Sequence, residues 1–205
     1  SLDGRIEDNG VIDELLTLDV GIKMSSALES ALAQNLLHRD LKPANILFNK
    51  ENEPKLVDFG LAVNADADQD VHGTVWGTPY YIAPEKVKRE GETFLSDMYS
   101  LAGTLYHALT GHVPFEAPSI EEVVAAHVHT DLTPPNHVVQ SISQPTSDAI
   151  YRAMAKEPSH RYQSYGEFIM ALENARSQLL VNQMRSGVTA AVPPSEASGK
   201  GWFRR

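Results

Sequence analysis

Asp40, Lys42 and Asn45 stand within six positions of one another, and together they could move a phosphoryl group. A carboxylate can accept the proton of an attacking hydroxyl. An ammonium two residues on, on the same side of an extended loop, can meet the transferring phosphate. An amide oxygen five residues beyond the carboxylate can ligate a metal, and Pro43 stiffens the turn between them. Further on, Asp58 follows the strand-like run Lys55-Leu56-Val57 and precedes Phe59-Gly60. A carboxylate at a strand end beside a flexible glycine suits Mg²⁺, which prefers hard oxygen ligands and bridging phosphates. Orienting a hydroxyl, holding metal and offsetting charge are what phosphoryl transfer asks of a protein.

These side chains need elements to position them. Apolar residues recur at helical spacing from Asp13 to about Gln34, with Asp13 as N-cap. Leu36-Leu37, Ile46-Leu47-Phe48 and Lys55-Leu56-Val57 are too short for helices and read as strands. Asn49 to Pro54 reads as a hairpin turn. From Ala62 to Pro79 there is no periodicity, and the stretch reads as a loop. Helical patterning predicts Asp97–Leu109, closed by Gly111, then Ile120–His129 and Thr146–Ala155. A last helix runs over Tyr165–Leu180 behind a Ser164/Glu167 capping box. The expected class is α+β, mainly α, over 1–180. Residues 181–205 are expected to form a disordered tail or linker, with Ser, Gly, Ala and Pro dominating after Met184.

The 205 residues are 42% hydrophobic, enough for one core. A net charge of −10 and a pI near 5.2 argue against sequence-independent nucleic-acid binding. Cysteine is absent, which excludes disulfides and thiolate metal sites and suits a cytoplasmic protein. No run of eighteen apolar residues occurs. The basic and aromatic end, Gly199 to Arg205, would suit a juxtamembrane position only if a transmembrane segment followed Arg205.

The ordered set His38-Arg39-Asp40-Leu41-Lys42-Pro43-Ala44-Asn45, Asp58-Phe59-Gly60 and Ala83-Pro84-Glu85 resembles the eukaryotic-type (Hanks-type) serine/threonine protein kinases, and the short loops resemble those of bacterial members. The resemblance covers about Ser1 to Leu180. It implies a kinase that transfers the ATP γ-phosphate to Ser/Thr hydroxyls of protein substrates in signal transduction. It implies Asp40 as the base, Lys42 on the transferring phosphate, and Asn45 and Asp58 on Mg²⁺. Thr78 would help to seat the substrate hydroxyl near Asp40. Asp97 would hold the backbone around His38 and Arg39, and Arg161 would pair with Glu85. Arg39 before the base implies control by activation-loop phosphorylation, with Thr74 as the expected phosphosite. The family's usual glycine five residues after Asp97 is Ala102 here, a mild packing change.

Simpler readings accompany these. Asp40 and Asp58 taken singly would be turn or cap residues, and Asp97 also reads as a cap. His38 reads as a packed structural histidine. His127 and His129 are two apart on a helix and share no face. Asp66, Asp68 and Asp70 lack the glycine and final glutamate of a calcium loop. Met154 and Met170 read as core.

The family's upper lobe, with its Gly-rich strand turn, strand lysine and helix glutamate, is not found in the sequence. The expectation is a C-terminal lobe alone, whose partner is a missing N-terminal lobe. The alternative is a non-catalytic binding or scaffold module. Small-molecule phosphotransfer is disfavoured by Lys42-Pro43 and by Ala83-Pro84-Glu85.

Overall fold

The computed structural model describes residues 1–59, 63–64 and 79–190. Its first helix, α1 (Leu2–Asn9), is unforeseen in the sequence. It carries only two buried residues, Leu2 and Ile6, and ends at Gly10. Helix α2 (Glu14–Leu32) starts where expected, because the Asp13 side chain accepts the Leu16 N–H at 3.0 Å. Strands β1 (Leu36–Leu37), β2 (Ile46–Phe48), β3 (Pro54–Leu56) and β4 (Val63–Asn64) follow. They form two antiparallel ribbons, β1 with β4 and β2 with β3. The β2–β3 turn is the expected hairpin, with Ile46 opposite Leu56. Arg5 of α1 lies over the Phe48 ring, 3.6 Å from its centroid, and ties α1 to this hairpin.

Helix α3 (Pro84–Lys88) leads into α4 (Phe94–Thr110). The expected start of α4 at Asp97 is three residues late. Thr93 and Ser96 form the capping box, so Asp97 already lies inside the helix and is not its cap. Gly111 closes α4 with φ +73. Helix α5 (Ile120–His129) has the predicted bounds, and α6 (Pro135–Val138) is a single turn. Helix α7 (Gln144–Ala153) begins two residues before Thr146, because Ser143 caps it and Pro sits in its first turn. Helix α8 (Tyr165–Ala190) runs ten residues beyond the expected end at Leu180. Ser164 caps it, but Glu167 reaches back to the Gln163 N–H and not to Ser164.

The class is mainly helical with a few short strands, and α4 is its axis. Tyr99, Leu101, Ala102 and Leu105 are fully buried there, so the Ala102 methyl is accommodated. Gly21 of α2 marks the point where three helices meet. A Cβ at that position would lie 2.8 Å from Leu105 of α4 and 2.9 Å from Leu172 of α8. Met154 is core, but Met170 is 62% exposed. It stands two residues after the fully buried Phe168, so helical rotation turns it to the opposite side.

His127 is buried beneath the ring of Phe115, and its Nδ1 lies 2.9 Å from the Tyr99 hydroxyl. Burial first, then the nearby Lys156 charge, pushes its pKa down to about 3. Lys156 is itself lowered to about 8, chiefly by burial, and donates to the Ala126 and His127 carbonyls. The folded state thus keeps His127 neutral, whereas the unfolded chain protonates it near 6.5. Its contribution is whole above that value and is lost as pH falls toward 3. Denaturant unfolding should therefore show a loss of about 2 kcal/mol between pH 6.5 and 4.5 from this group. His127→Gln should flatten that slope, and an unchanged slope would contradict the assignment.

Candidate active site

The β2–β3 hairpin and the segment between β1 and β2 build one edge of the site. Asn45 ends a 3₁₀ turn begun by Pro43, and its Nδ2 donates to the Asp40 carbonyl at 2.8 Å. A longer contact, 3.4 Å, reaches Asp40 Oδ2. Asn45 Oδ1 takes part in neither bond and is the atom a metal would use. Lys42 Nζ lies 2.7 Å from Asp40 Oδ2, so carboxylate, ammonium and amide form one cluster.

Asp58 is brought up by the same hairpin. The Val57 N–H donates to the Asn45 carbonyl at 3.0 Å, which places Asp58 one residue from Asn45's partner. Asp58 has φ +64 and is exposed. Left-handed backbone is tolerated by aspartate better than by most side chains, and it is concentrated at functional sites. An amide oxygen and a carboxylate are the hard donors that Mg²⁺ accepts alongside phosphate oxygens. The residues present fit that ion.

His38 joins the two halves. Its Nδ1 accepts the Asp40 N–H at 3.4 Å and its Nε2 lies 3.1 Å from the Val57 carbonyl. The neutral tautomer protonated at Nε2 satisfies both. The Phe59 ring meets His38 edge-on at 4.7 Å, although Phe59 itself is 39% exposed. His38 is fully buried, a packed histidine in the loop.

Asp97, on α4, reaches this loop from below. Its two carboxylate oxygens accept the N–H groups of His38 and Arg39 at 2.7 and 2.8 Å. Burial pushes the Asp97 carboxyl up, and those two N–H bonds work against the shift. Arg39 has φ +67, so this grip holds a backbone that arginine adopts reluctantly.

Glu85 and Arg161 meet across 76 residues of sequence. Arg161 is fully buried, and all five of its N–H donors are used. Two go to Glu85 at 2.7 and 2.8 Å, and the rest go to the carbonyls of Leu95, Ala155 and Lys156. Ser96 adds a hydroxyl to Glu85 at 2.7 Å. Burial alone would raise the Glu85 pKa, but the Arg161 hydrogen bonds and charge, with Ser96, hold the carboxyl below its ordinary range.

The structure thus gathers Asp40, Lys42, Asn45, His38, Arg39 and Asp97, with Asp58 beside them and the Glu85–Arg161 pair behind. Gly60, Thr74, Thr78, the Asp66–Asp70 run and the end from 191 onward lie outside the described residues. Motif reading missed Lys86 and Glu92, which wall a cleft beside Asp40 together with Tyr81 and Ser100. No spacing in the sequence marks either one.

The protein kinase domain family matches residues 1–173. A probable serine/threonine-protein kinase of Clostridium perfringens strain 13 is 36% identical over 172 residues, covering 83% of this chain and 25% of that protein. The serine/threonine-protein kinase PknK of Mycobacterium tuberculosis CDC 1551 is 40% identical, over 78% of this chain and 15% of PknK. PknB of Mycolicibacterium smegmatis is 32% identical, over 95% of this chain and 32% of PknB. The chain spans less than a third of the length of each of these relatives.

Proposed function

The chain belongs to the protein kinase domain family, and from that premise we propose that it carries the catalytic loop of a serine/threonine protein kinase. The reaction is transfer of the ATP γ-phosphate to Ser or Thr hydroxyls of proteins. The observation that carries this reading is the Asp40–Lys42–Asn45 cluster, with its 2.7 Å ion pair. A binding module has no physical need for base, phosphate lysine and two hard metal donors together.

Each residue has a part. Asp40 accepts the hydroxyl proton as the substrate oxygen bonds to the γ-phosphorus and the bond to the ADP oxygen breaks. Lys42 balances charge on the transferring group, for which it exchanges its contact with Asp40. Asn45 Oδ1 and the Asp58 carboxylate would hold Mg²⁺, which would offset phosphate charge when bound. Thr78 would help to orient the incoming hydroxyl. His38 and Asp97 keep the loop in shape and touch no reacting atom.

We assign the enclosing wall over the nucleotide to an N-terminal lobe carried by another part of the full-length protein. A site with one wall encloses little of a ligand and binds it weakly. Among the described residues no helix is long and apolar enough to cross a membrane, and ATP as cosubstrate suits the cytoplasm. The 205 residues alone are expected to show no appreciable transfer of radiolabelled phosphate. Transfer by this chain, abolished in Asp40→Asn, would overturn the two-lobe requirement.

A further inference from the structure

The peptide that leads into Asp40 is gripped on its carbonyl side by a residue outside the motifs. Lys86, on α3, donates from Nζ to the Arg39 carbonyl at 3.2 Å. At the other end of that peptide, the Asp40 N–H makes a long 3.4 Å contact to His38 Nδ1. The charge-assisted bond from Lys86 is therefore the stronger of the two. Lys86 is in turn paired with Glu92 at 3.2 Å, and Glu92 lies 4.0 Å from Arg39 Nε. The three side chains are 14–15% exposed, so water screens them little. Arg39 Nε is buried with no hydrogen-bond partner among the described residues, and Glu92 is the carboxylate that faces it.

We propose that Lys86 and Glu92 are positioning residues for Asp40. Lys86 fixes the Arg39 carbonyl, and Glu92 keeps Lys86 there by standing between two cations that would otherwise repel each other. The clamp complements Asp97. Asp97 holds the N–H of Arg39 from α4, and Lys86 holds its C=O from α3, so the left-handed Arg39 is fixed on both sides. Strained backbone of this kind persists only where its surroundings over-determine it. The catalytic consequence rests on the reading of Asp40 as the base.

The test uses Lys86→Met, Lys86→Arg and Glu92→Gln, with two readouts. The first is amide hydrogen exchange at Arg39 and Asp40 in the 205-residue chain. Lys86→Met should speed it by about tenfold or more, the scale of a lost hydrogen bond to a charged group. The acceleration should stay within the loop, with Lys86→Arg close to wild type and Glu92→Gln between the two. The second is phosphotransfer by the full-length protein. There Lys86→Met should lower kcat by about ten- to a hundredfold, leave the KM for ATP unchanged, and be largely rescued by arginine. Unchanged exchange at Asp40, acceleration spread evenly over the chain, or a methionine variant with wild-type kcat would each overturn the clamp. If the wild-type full-length protein transfers no phosphate, the kinase reading fails, and the exchange measurement still decides the clamp.

Discussion

Arg161→Met will lower the unfolding free energy by about 3–5 kcal/mol, the cost of breaking a buried ion pair from one side. The figure is large because the change does not simply remove a favourable contact. It strands the Glu85 carboxylate, only 5% exposed, with the Ser96 hydroxyl as its remaining side-chain partner. It also frees three carbonyls, of Leu95, Ala155 and Lys156, that arginine's planar fork reaches at once. Lysine cannot reproduce that set, so Arg161→Lys should fail almost as badly. Adding Glu85→Gln to Arg161→Met should recover part of the loss, because it discharges the orphaned carboxyl. Urea unfolding at pH 7 of the two single variants and the double variant checks this. A loss under about 1 kcal/mol for Arg161→Met would show that the pair is dispensable to the fold. The same pair contributes to acid sensitivity. The depressed Glu85 pKa gives stability that is whole above about 4.5 and is lost as pH falls through the folded value.

Long amphipathic segments were legible in the sequence because period and caps agree. Helix α5 has its predicted bounds, and Asp13 caps α2 as its position before the apolar pattern implies. Errors came where packing overrides pattern. Helix α1 offers two apolar residues and a central glycine, too little periodicity to detect, yet its two apolar side chains are buried. Helix α4 begins early because Thr93 and Ser96 cap reciprocally, a pattern that the Thr/Ser–Glu rule does not cover. Helix α8 outlasts its apolar stripe, and Val181 and Met184 on it are exposed, so composition past Leu180 read as linker. The cluster of Asp40, Lys42 and Asn45 was legible as a linear motif. Its support was less so, since the grip of Lys86 on Arg39 joins residues 47 apart and follows no spacing rule.

In the full-length protein, Asp40→Asn will reduce kcat by about 10²–10⁴, the range for loss of a positioned general base. Asparagine keeps the size and the hydrogen bond to Asn45 but cannot take up the substrate proton. It also ends the ion pair with Lys42, so the lysine is freer to sit on phosphate. The KM for ATP should therefore change little, because Asn45 and Asp58, the proposed metal donors, are untouched. Asp58→Asn should behave differently and weaken the response to Mg²⁺ as well as the rate. A rise in KM for ATP with kcat unchanged in Asp40→Asn would assign Asp40 to nucleotide binding instead.

We propose that Asp40, Lys42, Asn45 and Asp58 form the protein-facing half of a phosphotransfer site. The most direct test is radiolabel transfer from γ-labelled ATP to a protein substrate by the full-length protein, followed by phosphoamino-acid analysis. Phosphoserine or phosphothreonine is expected with wild type and Mg²⁺, and at least a hundredfold less with Asp40→Asn. Equal labelling by wild type and Asp40→Asn, or none by wild type, would contradict this proposal.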